Sequence, residues 1–237
     1  MYKKVVKPVL DKILALMFVI LFWWLYIVLA ILVRVKLGSP ILFAQERPGM
    51  IDPKTGKERI FKLYKFRTMT DERDENGNLL PDEKRLTKFG KFLRATSLDE
   101  IPEIPLNILF QGKNAMSVVG PRPQLVKDMV FMTDEQRKRH TVAPGITGLA
   151  QIKGRNSITW EEKVNWDIKY VDNISFITDL KIIIESVLVV FGRNGVTDGE
   201  HATALDYGDA LLKEGKITKK EYEEKQELAR QILEVER

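Results

Sequence analysis

At 237 residues the chain has room for one ordinary domain with appendages and an ample core. It has no cysteine, which removes disulfides, thiolate metal sites and a cysteine nucleophile, and its two histidines argue against a multi-histidine zinc centre. The net charge of +5 originates within residues 1–50, where seven bases face two acids, and the rest balances 31 bases against 31 acids. Basic charge that brackets an apolar run suits an anionic membrane surface; a nucleic-acid binder spreads its excess over a phosphate-tracking face, so no nucleic-acid partner is expected.

Ile13 to Val33 is a run of 21 uncharged, mostly large apolar residues, long enough at ~1.5 Å per residue to cross a hydrocarbon core of ~30 Å. Lys3, Lys4, Lys7 and Lys12 precede it and Arg34 and Lys36 follow it. A straight crossing would put one basic cluster on the wrong side, whereas a re-entrant segment keeps both on the cytoplasmic face. Against that, no Pro or Gly lies between Asp11 and Arg34, and Trp23-Trp24 occupies the middle. The charge argument favours a re-entrant segment with a cytoplasmic N-terminus; a spanning helix stays open.

Beyond Gly38-Ser39-Pro40, the pattern predicts a strand from Pro40 to Gln45, a turn at Arg47-Pro48-Gly49 and a polar loop from Asp52 to Glu58. A second strand is predicted from Ile60 to Met69, giving a small hairpin on which Lys65 and Arg67 alternate onto one side. Leu86 to Arg94 carries apolar residues at helical spacing with basic residues between them, which suits either an interfacial amphipathic helix or an ordinary surface helix. Met116 to Val119 reads as a short strand, and Trp160 to Val171 and Asp179 to Phe191 as helices. Two polar helices follow, Asp206 to Lys213 and Thr218 onward, with Glu221 in capping-box position. His140, in a basic run, is expected at the surface.

Three stretches carry chemistry. In Ser97-Leu98-Asp99-Glu100, the spacing of Ser97 and Glu100 fits a capping box, while Pro102 and Pro105 argue for a short, kinked helix with an acid pair at its positive end. Neighbouring carboxylates splayed ~100° apart allow one to attack phosphorus while the other holds a metal. Arg122, between Pro121 and Pro123, is either a fixed phosphate fork or a structural turn residue. Pro144 to Arg155 offers Gly145, Gly148, Gln151 and Arg155, open backbone and cations able to cradle phosphate, though it is neither a Walker loop nor a dinucleotide fingerprint.

Together with Gln45-Glu46-Arg47-Pro48-Gly49, Lys65-Phe66-Arg67-Thr68-Met69 and Met116-Ser117-Val118-Val119-Gly120-Pro121-Arg122-Pro123, these strings resemble the bacterial sugar transferase family over about Met1 to Ala204. That family comprises small monotopic polyprenyl-phosphate phosphoglycosyl transferases. The resemblance implies transfer of a sugar-1-phosphate from a UDP-sugar to undecaprenyl phosphate with release of UMP. It makes Asp99 the nucleophile, Glu100 a Mg²⁺ ligand, and Lys65, Arg94, Arg122 and Arg155 the basic groups of the site. Two departures stand out. A Ser-Pro pair usual in the family's membrane helix is replaced by Trp23-Trp24, and an acidic Gly-Asp-Met-Ser is replaced by the longer Gly112-Lys113-Asn114-Ala115-Met116-Ser117.

The expected architecture is α+β, predominantly helical with a small β-hairpin, a membrane-inserted helix and interfacial amphipathic helices. Residues 1–36 form the membrane helix, 37–204 the catalytic domain and 205–237 a helical tail. The expected setting is the bacterial inner membrane, catalytic domain on the cytoplasmic face, in contact with membrane lipids and compatible with a homodimer. Two alternatives remain: a membrane-anchored nucleotide-sugar hydrolase, and a catalytically silent polysaccharide-assembly scaffold, the latter suggested by the altered 112–117 loop.

Overall fold

The computed structural model describes residues 1–112, 115–154, 158–191 and 205–235. Helix α1 (Lys7–Leu37) follows a wider turn over Tyr2–Val6 and holds the apolar run. Its helical course breaks at Phe22 (φ −117°, ψ 18°), beside Trp23-Trp24 and without a proline or glycine. A straight helix of this length would run ~46 Å, yet one folded body grips both halves. Near its start, Lys7 Nζ lies 2.8 Å from Asp179 Oδ2, and Asp11 accepts from Ser117 Oγ at 2.7 Å and from the Val118 amide at 3.2 Å. At its end, Leu29, Val33 and Leu37 pack in one cluster with Phe66, Leu93 and Ile101, and the Arg67 guanidinium donates to the carbonyls of Leu37 and Ser39. Between these anchors most large side chains are exposed, among them Ile20, Leu21, Trp23 and Trp24. This helix is long and apolar enough to cross a membrane by length and composition, and it carries a break at Phe22 with both its ends anchored on one body.

Strands β1 (Leu42–Ile51) and β2 (Glu58–Phe66) pair antiparallel, Leu42 opposite Phe66 and Pro48 opposite Ile60. The first strand runs through Arg47-Pro48-Gly49, which is therefore not a turn; in a two-stranded sheet every strand is an edge, so Pro48 can lack its donor, and the register slips by a bulge between Pro48 and Ile51. The reversal occurs instead in the 52–57 loop. Short helix α2 (Asp82–Arg85) precedes α3 (Lys88–Ala95), capped by Thr87 Oγ1 accepting from the Gly90 amide at 3.0 Å. Leu93 of α3 is fully buried against α1, while Phe92 is half exposed beside exposed Lys88 and Lys91.

A single 3₁₀ turn (Leu98–Glu100) and a π-type turn (Ile104–Phe110) follow, the latter stitched to β2 by Asn107, which accepts from the Tyr64 amide at 3.1 Å and donates to Lys62 O at 2.6 Å. Strands β3 (Ser117–Val119) and β4 (Gly145–Thr147) pair in parallel. Between them lie α4 (Val126–Met129), α5 (Asp134–Arg137) and a 3₁₀ turn over Lys138–Thr141. His140, expected at the surface, is buried with Nδ1 2.9 Å from Glu58 Oε1, because this turn packs against the hairpin. Helices α6 (Leu149–Lys153), α7 (Trp160–Asp172) and α8 (Phe176–Phe191) complete the body.

The tail forms α9 (Tyr207–Lys213) and α10 (Lys219–Val235). Thr218 and Glu221 form the expected capping box, with reciprocal amide contacts of 2.8 and 3.2 Å. Tyr207 and Ala229 share a core cluster with Val126, Met129, Val130, Phe131 and Met132, so the tail is docked on the body through its own apolar face. The α+β, mainly helical architecture with one small hairpin and an apolar N-terminal helix is the one anticipated.

Candidate active site

Asp99 and Glu100 occupy the 3₁₀ turn, which rests on the membrane helix: Tyr26 Oη donates to Ile101 O at 3.3 Å, and Leu98 and Ile101 pack in the cluster of Leu29 and Val33. The capping box suggested by Ser97 and Glu100 does not form. Ser97 adopts φ 55°, its side chain caps nothing, and Glu100 turns to the cations. A turn of this length has little helical dipole, so the electrostatics come from side chains.

Glu100 Oε1 accepts from Lys65 Nζ and from an Arg122 nitrogen, both at 2.6 Å. Lys65 is also 3.3 Å from Glu103 Oε1, a buried carboxylate. Glu103 was missed at the level of sequence, although its i+3 spacing from Glu100 places both on one face of a helical turn. Asp99 is 7% exposed and makes no hydrogen bond or ion pair with a described residue. Burial, then the Glu100 charge, pushes its carboxyl up to about 6 against the pull of Lys65, Arg122 and Arg94. Against the cost of burial, Arg122 and Lys65 hold Glu100 well below the usual carboxylate range. Burial, partly offset by Lys65, pushes Glu103 up to about 7. The adjacent acids are thus driven apart, one fixed as an anion and one poised near neutrality, the pattern by which environments divide roles between carboxylates.

Arg94 donates its Nε to Thr68 Oγ1 at 3.0 Å, and it lines a cavity of about 340 Å³ together with Arg47, Glu100, Arg122 and Gln151. Arg47, within the expected turn, instead reaches this site because β1 continues through it; it donates to Gln45 Oε1 at 2.7 Å and Pro123 O at 3.3 Å. Arg67 does not join Lys65. β2 ends at Phe66, so the alternation that would have aligned the two stops one residue early, and the buried Arg67 guanidinium serves the helix exit and Asp71. Of the expected cations, Lys65, Arg94 and Arg122 are brought together, Arg67 is not, and Arg155 lies outside the described residues, as do Lys113 and Asn114 of the altered loop.

The glycines act through contact between backbones. A Cβ on Gly145 would collide with the Gly120 amide, and one on Gly148 with Gly120 O. The Gly145 amide is used by Pro121 O at 3.0 Å, and Gly120 N donates to Thr147 O at 2.9 Å. This close crossing seats the Pro-Arg-Pro turn and leaves the Gly145 amide, one of those expected to cradle phosphate, engaged within the fold. Gln151 does reach the cavity.

Among the described residues no cluster of three His, Cys, Asp or Glu could hold a metal alone. Mg²⁺ does not require one, since it keeps waters and is commonly bound by one or two carboxylates plus substrate phosphates. Glu100 fits that role, because Lys65 and Arg122 both occupy Oε1 and Oε2 has no partner among the described residues.

A family model described as bacterial sugar transferase matches residues 2–193. The uncharacterized sugar transferase EpsL of Bacillus subtilis (strain 168) is 49% identical over 172 residues, 73% of this chain and 80% of that protein. The UDP-glucose:undecaprenyl-phosphate glucose-1-phosphate transferase of Klebsiella pneumoniae is 38% identical over 197 residues, 79% of this chain and 40% of that protein. The galactosyl transferase CpsE of Streptococcus agalactiae serotype III (strain NEM316) is 37% identical over 169 residues, 65% of this chain and 35% of that protein. The chain therefore spans two fifths or less of these two longer relatives.

Proposed function

The chain belongs to the bacterial sugar transferase family, and from that premise we propose that it moves a sugar-1-phosphate from a UDP-sugar to undecaprenyl phosphate, in two steps through Asp99. The carrying observation is a buried, unpaired Asp99 carboxylate beside a Glu100 fixed by Lys65 and Arg122, in a turn seated on an apolar helix. The Asp99 oxygen attacks the β-phosphorus, the bond to the bridging oxygen breaks, and UMP departs with that oxygen. An oxygen of undecaprenyl phosphate then attacks the acyl phosphate, and the Asp99 carboxylate is released. Arg94 and Arg122 hold the phosphoryl oxygens and offset their charge in both steps. Glu100 would hold Mg²⁺ through its free oxygen together with the diphosphate, and the ion supplies further charge neutralisation.

The same geometry supports a membrane setting. The break at Phe22 and the anchoring of both ends of α1 support a re-entrant segment, and the exposed apolar residues of α8 (Ile177, Leu180, Ile184, Leu188) add a second greasy surface. The UDP-sugar is cytosolic, so the catalytic body is assigned to the cytoplasmic face of the inner membrane. Purified protein assayed with a panel of UDP-sugars, with and without undecaprenyl phosphate, tests the reading. The expected result is UMP release coupled to a lipid-linked diphosphosugar. Sustained release of UMP and free sugar phosphate without lipid would point to a hydrolase, and nucleotide-sugar binding without turnover would point to a scaffold.

A further inference from the structure

Among the described residues, five buried side-chain polar atoms have no hydrogen-bond partner, and three of them, Arg47 Nε, Gln151 Oε1 and Asp167 Oδ1, belong to residues lining the single cavity that holds Glu100 and Arg122. Buried polar groups are nearly always satisfied, so this concentration calls for a ligand. Arg47 Nε is a donor, which a phosphate oxygen can satisfy. The other two are acceptors, and phosphate oxygens cannot satisfy an acceptor.

Both are fixed. Asp167, only 2% exposed, takes Arg139 Nε at 2.9 Å and a terminal Arg139 nitrogen at 2.6 Å on the same oxygen, Oδ2, which leaves Oδ1 spare. Arg139 also donates to Arg122 O at 2.7 Å, so Asp167 is tied to the backbone of the phosphate-facing arginine. Gln151 donates its amide nitrogen to Ile146 O at 2.8 Å, which sets which way its oxygen lies. The remaining wall comes from Trp160 and Lys163 on α7 and from Leu205 and Asp206 of the tail. Trp160 Nε1 donates to Leu205 O at 3.0 Å and Asp206 pairs with Lys127, which fastens the tail across the cavity. These tail residues fall beyond the residues 2–193 matched by the family model.

We propose that this end of the cavity is a recognition subsite for a polyhydroxylated ring of the nucleotide-sugar, with Gln151 Oε1 and Asp167 Oδ1 accepting from its hydroxyls and the tail closing the far wall. It rests on the proposed donor class. Uracil offers a single N–H, whereas both the hexose and the ribose offer adjacent hydroxyls that can meet two fixed acceptors. The ring then lies in the same cavity as Glu100 and Arg122, which face the diphosphate.

Calorimetric titration of UDP-sugar and of UMP into the full-length protein and its Gln151→Met and Asp167→Asn variants tests this. Gln151→Met keeps the side-chain length and forgoes one hydrogen bond to Ile146; Asp167→Asn presents its NH₂ to the cavity once its oxygen faces Arg139. Each is expected to weaken UDP-sugar about tenfold or more. Weakening confined to UDP-sugar identifies the hexose as the ring, and equal weakening of UMP identifies the ribose. If Asp167→Asn fails to fold, Gln151→Met decides. Unchanged binding of both ligands to a folded Gln151→Met variant overturns the subsite. Wild-type protein that binds UDP-sugar but never transfers it would remove the transfer reading and leave this one standing; wild-type protein that binds neither ligand removes both.

Discussion

Replacing Asp99 by Asn should abolish transfer and at the same time stabilise the protein. Its carboxyl is pushed from 3.8 to about 6 by burial and by Glu100. A displacement of that size corresponds to ~3 kcal/mol at ~1.36 kcal/mol per unit, as an upper figure. Because the folded value lies above the unfolded one, the unfolded chain gives up its proton first as pH rises. Stability therefore falls across the window from about 4 to about 6 and the full cost persists above it. Asn carries no charge and removes the cost, so Asp99→Asn should be more stable near neutral pH by roughly 1–3 kcal/mol, at ~2–4 °C per kcal/mol for a chain of this size. The advantage should shrink toward zero as pH falls below about 4. Thermal unfolding in detergent across a pH series, beside a transfer assay, measures both effects. An Asn variant that is no more stable near neutral pH, or whose gain is the same at every pH, would refute the assignment of Asp99 as a strained, buried carboxylate. Such a stability gain at the expense of activity is the usual trade at a reactive site.

The other predictions follow from the same geometry. Glu100→Gln should raise the Mg²⁺ requirement or eliminate turnover, with activity lost in chelator and restored by Mg²⁺; full activity in excess chelator would exclude the metal role. Gly145→Ala should cost several kcal/mol and misplace Arg122, because its Cβ would collide with the Gly120 amide, whereas Gly56→Ala, with open space around it at φ +67°, should cost only about 1 kcal/mol; comparable melting points for the two would contradict the close crossing. Arg67→Ala should lower the melting temperature while leaving the KM for UDP-sugar unchanged, and Arg122→Ala should raise that KM; an Arg67 variant with impaired donor binding and an intact fold would return it to the site. Cysteines placed at Lys3 and Lys36 should be equally protected from an impermeant thiol reagent on intact cells, and labelling of the Lys3 site alone would mean that α1 spans the bilayer.

Much of the fold was readable because its elements are locally encoded. The apolar run, the alternation of Phe61 and Leu63, the helical spacing of Trp160 to Val171 and the Thr218–Glu221 box each depend on neighbours in the chain. What failed depended on contacts distant in sequence. Ser97 and Glu100 have a capping-box spacing, but Lys65 and Arg122 offer Glu100 two charged partners and a cap cannot compete. Arg67 followed a period that its strand stops obeying at Phe66. The role of Gly145 was invisible because its partner, Gly120, lies 25 positions away, just past the parallel neighbour strand. At the site, the acid pair, Lys65, Arg94 and Arg122 were legible as motifs. Glu103, Arg47 and Asp167 were not, since each is an ordinary charged residue until burial and a specific partner give it a role. The break at Phe22 carries no proline or glycine signal, and the basic residues on either side suggest re-entry without marking where the helix breaks.

The central claim is that Asp99 carries the sugar phosphate between donor and lipid. Mass spectrometry of the full-length protein after incubation with UDP-sugar and Mg²⁺, without lipid, tests it most directly. The expected result is stoichiometric UMP and a phosphosugar adduct on the peptide containing Asp99, discharged when undecaprenyl phosphate is added and absent from Asp99→Asn. Transfer to lipid at normal rates by Asp99→Asn, or an adduct mapped to another residue, would contradict it.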